Sequence, residues 1–326
     1  MSTPTSPQLV EDLLSGDHAA LARAITTIEN RSSGYRDLVS ALYRHAGDTV
    51  VIGITGSPGA GKSTLVDKLA EYYRDEGMTV GVIAVDPSSP FSGGAVLGDR
   101  IRMAATAGDM DVFFRSMSAR GNLGGLSTAT ADAVKALDAF GKDVVLVETV
   151  GAGQNEVDVV KTADTVAVLV PPSSGDDVQM LKAGILEIGD VFVVNKADLA
   201  GANKTVQELR QMLDMRDRRE DDWDPRIVET VATDGTGLED LLEAFEAHTT
   251  WLERTGQLSE RRRERYAAEI RTLLRDDASG LLEREIANAG GMDALVDAVE
   301  ANETDPYAIA ADIVEPLEEC VERHNG

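Results

Sequence analysis

The stretch Val50-Val51-Ile52-Gly53-Ile54-Thr55-Gly56-Ser57-Pro58-Gly59-Ala60-Gly61-Lys62-Ser63-Thr64 decides the fold. Val50 to Thr55 is an apolar, β-branched run that reads as a strand. Gly56 to Ser63 then has the spacing G-x-x-x-x-G-K-S of a phosphate-binding loop, and an amphipathic helical pattern starts near Lys62. Chemistry demands each part. Glycines let backbone N–H groups wrap a di- or triphosphate closely. Lys62 neutralises the β- and γ-phosphates, and the Ser63 hydroxyl is a ligand for Mg²⁺. The helix that follows aims the positive end of its dipole at the same anion. A nucleotide ligand is the expectation.

Strands of similar character recur downstream. Thr79–Asp86, Val112–Met117, Val144–Thr149, Thr165–Val170, Val191–Asn195 and Ile227–Ala232 alternate with helical segments. Several are apolar on successive residues, which suits strands buried on both faces. The alternation predicts a doubly wound, mostly parallel α/β domain over 48–248, with its ligand at the strand C-termini. Before it, apolar residues at helical spacing (Leu13, Leu14, Leu21, Ile25, Ile28, Leu38, Leu42) predict a helical extension over 1–47. After it, 249–326 reads as helical, with segments at Arg261–Arg275 and Gly291–Glu300 and a last helix opened by Pro306. The apolar positions Ile270, Leu273, Leu274, Leu281, Leu282, Leu295, Val296 and Val299 in this region ask for a partner surface.

The 326 residues are 43% hydrophobic, enough for a substantial core, and carry a net charge of −26. The acids are spread along the chain, so they read as a solvated surface suited to a salt-rich, halophilic cytosol. No basic footprint exists, which argues against nucleic acid as a ligand. No stretch approaches the apolar length of a membrane span, and Met1 to Pro7 lacks a secretory pattern. A cytoplasmic protein is expected. Cys320 is the single cysteine, and His18, His45, His248 and His324 are scattered without ligand spacing. A nickel-delivery role, which needs a Cys/His site, is disfavoured on that ground.

Asn195-Lys196-Ala197-Asp198 follows the apolar run Val191–Val194 directly. A carboxylate at Asp198 accepts two hydrogen bonds, from the guanine ring N–H and its exocyclic amine. Adenine lacks that amine and presents an acceptor instead, leaving the carboxylate unpaired, so the motif selects guanine. Asn195 is positioned to tie this loop to the phosphate loop, and the Lys196 stem to cover the base. Val231, Ala232 and Thr233, after the next strand, are candidates for backbone contacts to the base.

Glu148 nears the end of the run Val144–Thr149, where an acid holds the Mg²⁺ shell, and Gly151 lets its N–H approach the γ-phosphate. Contact with GTP that is lost after hydrolysis makes this a sensor. Gln154 either orients the attacking water or makes a conformational contact. Asp86 closes its strand before a Pro-, Ser- and Gly-rich stretch, Pro87 to Gly98, and is placed to polarise the hydrolytic water. Asp99 ends that stretch, either as a helix N-cap or as an Mg²⁺ ligand.

Five further stretches carry a more specific signal: Val85-Asp86-Pro87-Ser88-Ser89-Pro90, Leu97 to Met103, Glu148 to Gln154, Gly175 to Gln179 with Lys182-Ala183-Gly184, and Asp305-Pro306-Tyr307. Together they resemble the methylmalonyl-CoA mutase-associated GTPases of the MeaB/ArgK type, relatives of the human methylmalonic aciduria type A protein. The resemblance covers nearly the whole chain. It implies a P-loop GTPase domain with N- and C-terminal helical extensions, and a homodimer held through the C-terminal helices. It also implies slow hydrolysis of GTP to GDP and association with the adenosylcobalamin-dependent methylmalonyl-CoA mutase, whose cofactor loading such proteins gate and which they protect. It assigns phosphates to Gly56, Ser57, Pro58, Gly59, Ala60, Gly61, Lys62, Ser63 and Thr64, and Mg²⁺ to Ser63, Asp99 and Glu148. Guanine falls to Asn195, Lys196 and Asp198, and Ser174 to Lys182 matches a third switch segment. One departure is Val231-Ala232-Thr233, where many GTPases show a Ser-Ala pair. The competing reading is a phosphotransferase acting on a small-molecule or protein acceptor, against which no separate acceptor-binding motif is found.

Overall fold

The computed structural model describes residues 6–47, 49–86, 108–118, 123–149, 162–172, 183–216 and 222–325. Seven strands form one sheet: β1 Val50–Gly56, β2 Val80–Asp86, β3 Val112–Ser118, β4 Val144–Thr149, β5 Thr165–Val170, β6 Val191–Asn195 and β7 Arg226–Thr230. Their spatial order is β3-β2-β4-β1-β5-β6-β7, and every pairing is parallel. The helices are α1 Ser6–Leu14, α2 His18–Glu29, α3 Tyr35–Leu42, α4 Lys62–Asp75, α5 Leu123–Ala139, α6 Ala183–Ile188, α7 Ala202–Asp214, α8 Leu238–Thr255, α9 Gln257–Asn288, α10 Met292–Glu300 and α11 Pro306–Asn325.

Successive strand residues enter opposite cores, which is why the strands are continuously apolar. Val51, Val145, Val147, Val168 and Phe192 face one core, shared with α1–α3, α5 and α7. Ile52, Ile54, Leu146, Leu169 and Val193 face the other, shared with α4 and α8. Helices cover both faces of the sheet, so the domain is a doubly wound P-loop fold with β1 at its centre. The N-terminal helices belong to this unit: Leu13, Leu21, Ile25 and Leu38 are fully buried in the same core as Leu137 of α5. Asp17 caps α2 by accepting from Ala19 N at 2.8 Å.

The chain divides into two compact units, Met1–Arg262 and Arg263–Gly326. Helix α9 starts four residues before the segment read from sequence and runs far beyond it. None of its residues is buried. Strand β7 also differs, ending at Thr230 instead of Ala232. The Val231 N–H turns back to the Thr236 carbonyl at 2.9 Å, and Ala232 is buried inside that turn.

A buried polar cluster closes the sheet at the N-terminal ends of β5 and β6. His248 of α8 is fully buried, with Nδ1 2.8 Å from the Thr165 hydroxyl and Nε2 3.3 Å from Asp190 Oδ1. Arg261 donates to both Asp190 carboxylate oxygens, and the Trp223 indole N–H donates to the Asp190 carbonyl. Burial raises the Asp190 carboxyl, but His248 and Arg261 overcome it and hold the group below the ordinary carboxylate range.

Candidate nucleotide site

The phosphate loop leaves β1 at the centre of the sheet and enters α4. Gly56 has φ 137°, and a Cβ there would collide with the Leu169 carbonyl of β5, so only glycine fits. Ser57 N donates to that same carbonyl at 3.3 Å and Ala60 N to Ser57 O at 3.1 Å, closing the loop. Gly61, at φ 94°, precedes α4, and a Cβ on it would strike Asn195 Nδ2. The Lys62 side chain is held over the loop, its ammonium donating to the Gly56 carbonyl at 2.7 Å and the Ser57 carbonyl at 3.2 Å. A buried cation beside loop amides and a helix N-terminus is a cradle for phosphate.

Glu148 reaches this loop from β4. It is 3% exposed and accepts a hydrogen bond from Ser63 Oγ at 2.5 Å. A hydroxyl and a carboxylate oxygen are hard donors of the kind Mg²⁺ takes. Among the described residues no group of three or more His, Cys, Asp or Glu gathers into a protein-only metal site. The pair fits part of the oxygen shell of Mg²⁺, a cation that also takes phosphate and water oxygens.

The base-side loop is bound to the phosphate loop through one side chain. Asn195 is 2% exposed; its Nδ2 donates to the Ala60 carbonyl at 2.7 Å. Its Oδ1 accepts from Ala232 N at 3.0 Å and from the Thr230 hydroxyl at 3.1 Å. Lys196 adopts φ 61° and stretches its ammonium to the Gly59 carbonyl at 2.8 Å. Asp198 is exposed just beyond it, and Ala197 N donates to the Thr230 carbonyl at 3.0 Å. So Asn195 and Lys196, along with Val231 and Ala232, come together with the phosphate loop at one end of the sheet. Thr233 is exposed in the turn after β7, and the Ala232 N–H donates to Asn195 Oδ1.

Asp86 is the last residue of β2, in register with Ser118 of β3. Asp99, Gly151 and Gln154 lie outside the described residues, as do the stretches Pro87 to Gly98 and Ser174 to Lys182. Sequence reasoning did not single out three contacts: the Leu169 carbonyl that receives Ser57 N, the Thr230 hydroxyl on Asn195, and a hydroxyl bridge between Thr149 and Thr55 at 3.0 Å. Threonine at or next to the C-terminal end of β1, β4 and β7 is the available signal for the last two.

A phosphate loop on a seven-stranded parallel sheet, with Lys62, Ser63 and Glu148 converging on it, defines a P-loop nucleotide-binding protein. The chain belongs to the family described as Methylmalonyl Co-A mutase-associated GTPase MeaB, which matches residues 21–288. Among its relatives, a Pyrococcus abyssi protein with a provisional GTPase name is 50% identical over 309 residues, 94% of this chain and 95% of its own. The mitochondrial methylmalonic aciduria type A homolog of Mus musculus is 31% identical over 287 residues, 83% of this chain and 69% of its own. A crystal structure described as LAO/AO transport system kinase superposes with a TM-score of 0.72 at 27% identity, covering 98% of this chain and 99% of that one. Family membership supports GTP hydrolysis and implies GTP and GDP as the bound nucleotides.

Proposed function

We propose that this protein is an Mg²⁺-dependent GTP hydrolase that chaperones an adenosylcobalamin-dependent methylmalonyl-CoA mutase, gating loading of its cofactor and protecting the enzyme. The observation that carries the reading is the Asn195 side chain, bonded at once to the phosphate loop and to the turn after β7. It makes phosphate binding and base recognition parts of one site, so that Asp198 reads guanine where Lys62 holds phosphates. Ser63 and Glu148 are the described residues that would hold Mg²⁺, with Asp99 as the further ligand, and the ion would supply positive charge against the charge developing on the phosphates. Asp86 and Gln154 act on the attacking water, and Gly151 senses the γ-phosphate. The segment Ser174 to Lys182 signals to the mutase.

The family's printed name supports the mutase as partner. The C-terminal region, 249–326 in this reading, forms a homodimer arm. Its exposed apolar side chains support that role: Ile270 is 57% exposed, Leu274 63% and Tyr307 88%. None of the described helices is long and apolar enough to cross a membrane, and a cytoplasmic location fits the reading. GTP turnover measured at molar KCl, with and without the organism's own mutase, tests it. Faster hydrolysis and nucleotide-dependent co-elution are expected, and the partner assignment fails if neither changes.

The kinase description of the 27%-identical structure favours a second reading, phosphoryl transfer to an acceptor. Labelled γ-phosphate appearing on anything except water would replace the hydrolase reading with that one.

A further inference from the structure

Strands β1 and β4 carry the two halves of the cation site, and they part company at its edge. Their ladder ends with Ile54 opposite Glu148. Beyond it β1 continues against β5 as far as Gly56 opposite Leu169, while β4 continues against β2 as far as Thr149 opposite Val85. Thr55 and Thr149 are the next residues along, and both are fully buried. The Thr149 hydroxyl donates to Thr55 Oγ1 at 3.0 Å, so a side-chain bond joins the strands one step past their last pair.

Packing alone does not ask for threonine here. Valine has the same shape and matches the neighbours Val147 and Val85, and a buried neutral hydrogen bond adds little net stability over such a pair. What the bond adds is direction. Glu148, one residue before Thr149, meets Ser63 Oγ at 2.5 Å, and Gly56, one residue after Thr55, gives its carbonyl to the Lys62 ammonium. The hydroxyl bridge therefore clamps the backbone of the acid to the backbone of the phosphate loop, on the two sides of the gap where a cation and phosphate meet.

We propose that Thr149, through Thr55, is a positioning residue that holds Glu148 in place for the Mg²⁺–nucleotide complex. The proposal rests on the Mg²⁺-dependent GTPase reading. Residues that orient a metal ligand from behind typically change metal affinity or activity by about 10–100-fold when removed.

The test uses the full chain and a fluorescent N-methylanthraniloyl GDP, titrated in Mg²⁺ and again in EDTA, with melting curves for each variant. The double variant Thr55→Val/Thr149→Val removes both polar groups and is expected to melt close to the wild type. It should bind the probe as the wild type does in EDTA, yet lose about 10–100-fold of the tightening that Mg²⁺ confers. Thr149→Ser, which keeps the hydroxyl, should retain the Mg²⁺ effect, and Thr149→Ala should lose it. This second pair decides the matter if the double variant does not fold. Full Mg²⁺ tightening in the valine or alanine variants, or equal losses in Mg²⁺ and EDTA, would overturn the proposal. A wild type that binds no probe in either condition would instead sink the GTPase reading itself, and this inference with it.

Discussion

In the proposed reading a single carboxylate, Asp198, carries the choice of base. Asp198→Asn exchanges one acceptor oxygen for a donor amide that opposes the guanine N–H groups. Two charge-assisted hydrogen bonds are at stake, each worth about 1.5–3 kcal/mol. GTP affinity should fall by about 100-fold or more, with ATP affinity little changed. Competition of both nucleotides against a fluorescent GDP measures this, and unchanged GTP/ATP discrimination would remove the base assignment. Lys62 differs in kind, because its ammonium already satisfies two loop carbonyls. The adjacent glycines are equally bound to their places, since Gly56 faces the Leu169 carbonyl and Gly61 faces Asn195.

The loops at the ends of β1, β6 and β7 behave as one element because Asn195 joins them. Asn195→Ala removes a donor to Ala60 O and an acceptor shared by Ala232 N and the Thr230 hydroxyl. Ala232 is buried, so its N–H loses its partner at a cost of about 1–3 kcal/mol. Chemical denaturation should show that loss, and calorimetry should show weaker GDP binding as the phosphate loop loosens. A variant with wild-type stability and affinity would mean the junction contributes nothing. At the opposite end of the sheet, Asp190 is tied to Arg261 and lies against His248. Its carboxyl is held below the ordinary range. It therefore stabilises the fold above its unfolded pKa of about 3.9, and the contribution is lost as pH falls through the lower folded value. Asp190→Asn should cost about 3 kcal/mol at neutral pH. That gap to the wild type, read from urea midpoints, should shrink below about pH 4; a gap that stays constant contradicts the assignment.

For the molecule as a whole, the net charge of −26 sets the solution behaviour. The Debye length shrinks from about 10 Å at 0.1 M salt to about 3 Å at 1 M, so KCl relieves self-repulsion across the surface. The melting temperature should rise steadily between those concentrations, and a flat or falling curve would refute adaptation to high salt. The C-terminal unit is the other whole-molecule feature. None of residues 253–316 is buried, although the helices there carry Ile270, Leu274, Leu281 and Val296. That exposure fits the partner surface expected from their spacing.

By itself the sequence determined the sheet and the kind of site it carries. Strands buried on both faces read as near-continuous apolar runs with polar residues only at their ends, so Val144–Thr149, Thr165–Val170 and Val191–Asn195 were legible to the residue. The phosphate loop was legible because its glycines and lysine are required by local geometry. What depends on neighbours distant in the chain was not. Strand β7 stops at Thr230 because Val231 turns back to Thr236, and the apolar pattern does not distinguish a turn packed on the core from a strand. Helix α9 extends past the segment Arg261–Arg275 at both ends, where Gln257–Glu260 and Asp276–Asn288 carry no proline that marks a boundary in the sequence. Only the tertiary structure set Thr149 against Thr55 and brought Asn195 onto Ala60, 135 residues away. A hydrogen bond between side chains far apart in sequence leaves no periodicity to read. It exists because the parallel sheet delivers several strand ends to the same edge.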